Sequence, residues 1–137
     1  MKKLLMLCLS LCLIGCSATQ KPESSSSDAV TLHITVINEV EGETLFDDDL
    51  TIEKGVSTLS DFLEEADSLE VVMEEGEYGK TILSICGVAT EDWNKGPWWL
   101  FESDTNQACV EAGMCPAASE LTIEDGDSFT FTYTDTF

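Results

Sequence analysis

Along residues 30–40, VTLHITVINEV, apolar and polar positions alternate. Val30, Leu32, Ile34 and Val36 share one face; Thr31, His33 and Thr35 share the other. Strict alternation of strong β-formers predicts a half-buried strand. Glu41-Gly42-Glu43 reads as a turn, and residues 44–53, TLFDDDLTIE, as a weaker second strand with Leu50 and Ile52 on one side. Together they predict a hairpin. The period then changes. In residues 57–66, STLSDFLEEA, Leu59, Phe62, Leu63 and Ala66 fall at i, i+3, i+4 and i+7, a helical stripe with Glu64 and Glu65 on the solvent side. Thr58 and Asp61 have the spacing of a capping box. Such a stripe needs a sheet to cover, and the hairpin supplies one. Further short apolar runs follow at 69–73 (LEVVM), 81–86 (TILSIC) and 97–101 (PWWLF), set apart by Gly76, Gly79 and a Lys95-Gly96-Pro97 break. Residues 102–120 read as a long loop. Residues 121–123 (LTI) lead into the turn signal Glu124-Asp125-Gly126-Asp127. In the last strand Phe129, Phe131 and Tyr133 alternate with Thr130, Thr132 and Thr134. The order β-β-α followed by several β predicts an α+β fold, one main helix packed on a mixed sheet.

Upstream of this region the pattern is of another kind. Residues 1–16, MKKLLMLCLSLCLIGC, place Lys2 and Lys3 before an apolar run from Leu4 to Ile14. The run is shorter than the roughly 20 apolar residues of a membrane-spanning helix, and it fits the core of a signal peptide. Its end, Leu13-Ile14-Gly15-Cys16, resembles a bacterial lipobox. That resemblance implies cleavage after residue 15, a diacylglycerol on the Cys16 sulfur, and a chain held by lipid on the outer face of the cell membrane. Two acyl chains give the stable anchoring that one does not. Residues 16–29 then read as the anchor and a Ser-rich tether without apolar periodicity. The expected division is therefore 1–15 signal peptide, 16–29 anchor and tether, and 30–137 folded domain.

Charge narrows the function classes. The 137 residues hold six lysines, no arginine, 27 acidic residues and one histidine, for a net charge of −21. Binding to nucleic acid requires clustered cations to neutralise phosphates, and there are none. Docking on anionic lipid through a basic patch is excluded for the same reason. The field favours neutral or cationic ligands over anionic ones.

The segments "EKGVSTLSDFLEEA", "YGKTILSICGV", "KGPWWLFES" and "LTIEDGDSFTFTY", in that order and spacing behind a leading hairpin, resemble the transcobalamin-like C-terminal domain found in many lipoproteins of Gram-positive bacteria. The match spans nearly all of residues 30–135. It implies a β-grasp-like fold. In animal members the equivalent domain covers one face of cobalamin; most bacterial members have no assigned ligand. The resemblance places the end of the strand at Ile85 and Gly87, with Tyr78 ahead of it, beside the Trp98, Trp99 and Phe101 strand on the ligand face. Phe101 stands where the family usually carries Tyr. On a strand, Trp98 and Leu100 point one way and Trp99 and Phe101 the other. One pair belongs to the core. The other is exposed or lines a pocket, unless the 102–120 loop covers it. The glycines at 76, 79 and 87 also fit plain turn geometry.

Three cysteines remain after Cys8 and Cys12 leave with the signal and Cys16 is lipidated. Cys109 and Cys115 lie close enough in sequence for a loop disulfide, which leaves Cys86 as a buried free thiol. No metal site is expected: no C-x-x-C is present, and only His33 is available to join a cysteine. His33 reads as a solvated histidine, and Asp47-Asp48-Asp49 and residues 124–127 as solvated turns. The chain lacks a triad order, a metal-ligand cluster and a phosphate-binding glycine loop, so the expectation is a non-catalytic protein. Two functions fit. One is a small-ligand-binding module in uptake, for a corrinoid such as cobalamin or another flat cofactor. The other is an envelope protein–protein interaction module, with a transporter component as one candidate partner.

Overall fold

A computed structural model of the chain describes residues 29–53, 55–77 and 79–136. The signal peptide, Cys16, nearly all of the tether and Tyr78 lie outside the described residues. The chain enters through β1 (Val30–Asn38), which turns back into β2 (Glu43–Ile52). The two pair antiparallel from Val30↔Ile52 to Asn38↔Glu43, with a register shift between Val36 and Ile37. β1 is also paired in parallel with the last strand, β7 (Ser128–Thr134), whose other neighbour is β6 (Trp98–Glu102). The main sheet therefore runs β2-β1-β7-β6. A parallel central pair built from the two ends of the fold, flanked by antiparallel partners and covered by a helix, is the β-grasp-like arrangement.

The alternation in β1 and β7 does what its period requires. Leu32, Ile34, Val36, Phe129 and Phe131 all point inward and are buried. They meet Leu59, Phe62, Leu63 and Ala66 of α1 (Leu59–Glu65) and its C-cap in a single core. Thr58 caps α1 through a complete capping box: its hydroxyl accepts the Asp61 N–H at 3.2 Å, and the Asp61 carboxylate accepts the Thr58 N–H at 3.2 Å. Burial acts to raise the Asp61 pKa, but the hydrogen bonds from Thr58 and Ser57 outweigh it and hold the carboxyl below its ordinary value.

Three features depart from the sequence reading. First, the strands are divided between two sheets. β3 (Val72–Gly76), β4 (Gly79–Ile85) and β5 (Val88–Ala89) form a separate antiparallel sheet, while Leu69 sits in a 3-10 turn (Asp67–Leu69) and not in a strand. The left-handed Glu70 that ends this turn delays the strand to Val72. Second, the stretch read as a long loop contains a second helix, α2 (Gln107–Ala112). It is short, and it stands because Asn106 caps it and a disulfide joins Cys109 to Cys115 just beyond its end. Third, the turn at 124–127 is built into the fold instead of merely solvated. Asp127 is buried and accepts hydrogen bonds from the Asn106 amide at 2.8 Å and the Glu124 N–H at 3.0 Å. Asp125 accepts the Thr31 N–H at 2.7 Å. This turn therefore bolts the start of β1 to the start of β7.

Candidate functional site

The sequence-derived ligand residues do not converge on one surface. Ile85 is fully buried and Trp99 is 5% exposed, so both side chains belong to the core. The Trp99 indole N–H donates to the Val88 carbonyl at 2.8 Å, and its ring lies 5.1 Å from that of Tyr133. The Tyr133 hydroxyl donates to the Ala89 carbonyl at 2.7 Å, and burial, aided by the Glu91 charge, pushes its pKa up. These two rings project from β6 and β7 and grip β5, fastening the small sheet to the large one. Trp99 is thus a clamp, not a ligand platform. Phe101 packs beside Phe131, with ring centroids 5.7 Å apart, and is half-buried on the same inner face. Gly87 is exposed in the two-residue turn that joins β4 to β5.

That turn also relocates Cys86. Its φ is +53° and that of Gly87 is +81°, as a tight hairpin with a right-handed twist demands at both central positions. The thiol is free and half-buried at a turn, where the sequence suggested the interior of a strand. Burial pushes its pKa up, as does the nearby Glu70 carboxylate.

Trp98 faces outward, half-exposed, in the row that β6 shares with Thr134. Its ring packs flat on Gly96, where a Cβ would approach the ring to 2.7 Å, so only glycine fits there. Its indole N–H donates to the Trp93 carbonyl at 2.7 Å. Trp93 itself escaped the sequence reading. It follows Glu91 and Asp92 in a polar stretch between the apolar runs at 81–86 and 97–101. A weak signal was present: a third tryptophan in a charged loop has no apolar neighbours to bury it.

The loop that presents Trp93 is held from within. The Lys95 and Gly96 N–H groups donate to the Asp92 carbonyl at 3.0 and 2.9 Å, and the Thr90 hydroxyl donates to the Pro97 carbonyl at 2.9 Å. The Asp92 side chain accepts the Asn94 N–H at 3.0 Å. With its backbone so fixed, the Trp93 side chain remains 52% exposed. It forms one wall of a groove of about 300 Å³ whose other walls are Glu74, Glu75, Gly76, Thr81 and Leu83 of the β3–β4 hairpin. A large indole left in water beside a concavity is the physical mark of a binding surface.

His33 is more than a solvated residue. Its Nδ1 lies 2.7 Å from Asp49 and its Nε2 2.8 Å from Asp47, both across the β1–β2 pair on the outer sheet face. The hydrogen bonds to Asp49 and then Asp47 raise its pKa. With both ring nitrogens engaged, the imidazole is a cross-strand staple. Among the described residues no group of three or more His, Cys, Asp or Glu is placed to hold a metal ion.

Comparison with known proteins tests the fold. No family model matches the chain, and no curated protein matches it. Sixteen chains of solved structures do. One is a proposed metal-binding protein from Ruminococcus gnavus, 23% identical, with a TM-score of 0.57 over 79% of this chain and 99% of that one. Another is haptocorrin, solved in complex with Cbi: 17% identity, a TM-score of 0.56, 80% of this chain and 26% of that one. The fold is transcobalamin-like. At these identities the likeness concerns architecture alone, and this chain spans about a quarter of the length of haptocorrin.

Proposed function

We propose that this protein is a non-catalytic binding module, anchored through lipid on Cys16 to the outer face of a bacterial cell membrane, that holds a small ligand against the Trp93 groove. The observation that carries the reading is the half-exposed Trp93 indole over a groove of about 300 Å³, on a loop whose own hydrogen bonds fix it in that position. The groove is at the lower end of the range, about 300–1,000 Å³, that small-molecule sites occupy. It would grip one edge or face of a flat ligand and leave the rest to solvent or to a second protein. The fold likeness to haptocorrin makes a corrinoid the first ligand to test. Affinity from one open face would be modest.

Calorimetric titration of the purified chain with cobinamide, repeated with Trp93→Ala, tests the site. Binding that Trp93→Ala abolishes supports it; binding that the substitution leaves unchanged puts the ligand elsewhere. Anchoring is tested separately by feeding cells a labelled fatty acid. Label that persists on Cys16→Ala would remove the lipid from the account.

A second reading, an envelope interaction module, draws on a different surface. The outer face of the main sheet carries half-exposed Trp98 and Leu100 beside Thr130, Thr132 and Thr134. Capture of one stoichiometric envelope protein that survives Trp93→Ala and is lost on Leu100→Asp would select it.

A further inference from the structure

We infer that the Trp93 groove selects an organic cation: an alkylammonium or quaternary ammonium group, seated against the indole with the Glu74 carboxylate on the opposing wall. The inference rests on the groove being the ligand site, and it narrows what enters.

Four observations bear on it. The exposed wall is tryptophan, whose ring face attracts cations more strongly than that of any other side chain. Glu74 lines the same groove on the face of its partner Thr81, Glu75 borders it through the strand, and no lysine among the described residues lines it. The cations of the described residues are committed elsewhere: Lys95 pairs with Asp92 at 3.7 Å, and Lys80 pairs with Glu64 while lying opposite Glu75 in the β3–β4 register. Glu75 is thus partly compensated by Lys80, whereas the Glu74 side chain makes no hydrogen bond or ion pair among the described residues. Finally, Leu83 and Thr81 give the groove an apolar patch and a hydroxyl, which suit the methylenes and methyls around an ammonium nitrogen.

The alternatives fit less well. An anion would meet the Glu74 carboxylate inside a field already set by a net charge of −21. A wholly apolar ligand would strip water from that carboxylate and return nothing to it. A bare metal ion would have no use for the indole and would find too few fixed oxygens. A cation with apolar substituents satisfies both kinds of wall.

The test is a titration of the full chain, followed through the tryptophan indole N–H resonances, with choline and with its uncharged carbon analogue 3,3-dimethylbutan-1-ol. Choline is expected to shift the Trp93 resonance and to bind at least about ten-fold more tightly than the neutral analogue. Glu74→Gln should weaken choline several-fold, and so should raised salt. Trp93→Ala should abolish the binding with the rest of the spectrum intact, since the side chain is exposed. Equal affinity for the two probes would overturn the inference, as would choline binding that survives Trp93→Ala. If cobinamide moves the Trp93 resonance and choline does not, the cation preference alone fails. If neither probe moves it, the groove itself is not the site and both readings fall.

Discussion

The grip on β5 gives a prediction whose size follows from the structure. β5 is only two residues long, and each of its carbonyls is held by one aromatic donor: Val88 by Trp99 and Ala89 by Tyr133. Tyr133→Phe keeps the ring and removes the hydroxyl. The Ala89 position is exposed, so water can take over the freed carbonyl, and the expected loss is the net value of one hydrogen bond, about 1 kcal/mol. Trp99→Phe removes both a donor and part of a buried bicyclic ring, so it should cost about 2 kcal/mol or more. The decisive quantity is the double variant. If the two bonds jointly hold one short strand, losing either frees β5 and devalues the other. The double substitution should then cost less than the sum by at least about 0.5 kcal/mol. Urea denaturation of the four proteins in the cycle measures this, and hydrogen exchange locates it. Protection should fall across β3–β5 and stay in β1 and β7. Additivity within about 0.3 kcal/mol, together with unchanged exchange in the small sheet, would refute the clamp.

The other predictions are smaller in scope. His33 has its folded-state pKa raised above the ordinary 6.5, so its two carboxylate bonds add stability that is fully present below pH 6.5 and fades as pH climbs through the raised value. His33→Gln should flatten that part of the stability–pH curve, and because the chain has one histidine, its imidazole titration can be read directly by NMR. The Cys109–Cys115 bond closes a small ring, and replacing both with serine should cost about 2 kcal/mol by chain entropy, with lost exchange protection confined to α2 and its surroundings. Thr58→Ala removes half of the α1 capping box and should lower stability by about 1 kcal/mol in thermal or chemical denaturation. The Asp61 carboxyl, held below its ordinary pKa, contributes stability above the unfolded value and loses it as pH falls through the depressed one. Thr58→Ala should therefore also reduce the acid sensitivity.

Much of the fold was legible because period and burial coincide. β1 and β7 are long enough for alternation to be unmistakable, and Leu59, Phe62, Leu63 and Ala66 have only one face on which to lie together. What alternation does not encode is which strands pair. β3 to β5 form a sheet of their own because a 3-10 turn, a left-handed Glu70 and a two-residue hairpin intervene, and none of these has an apolar period. α2 escaped because six residues carry too little of a helical stripe; its support comes from Asn106 and a disulfide, which act across the chain. The site suffered most. Trp98, Trp99 and Phe101 are adjacent in sequence, yet Trp99 serves the interior, Phe101 leans on Phe131 and Trp98 braces the loop behind Trp93. Whether an aromatic faces water depends on what the rest of the chain lays over it, and only the assembled molecule decides that.

The placement of β1 also has a mechanical consequence. It is the strand through which the chain enters the fold, and it lies in the middle of its sheet, bonded to β2 along one side and to β7 along the other. A pull arriving from the preceding residues must shear two rows of bonds simultaneously, instead of peeling a border strand bond by bond. The first strand is therefore set to resist a load that arrives along the chain from its amino-terminal side.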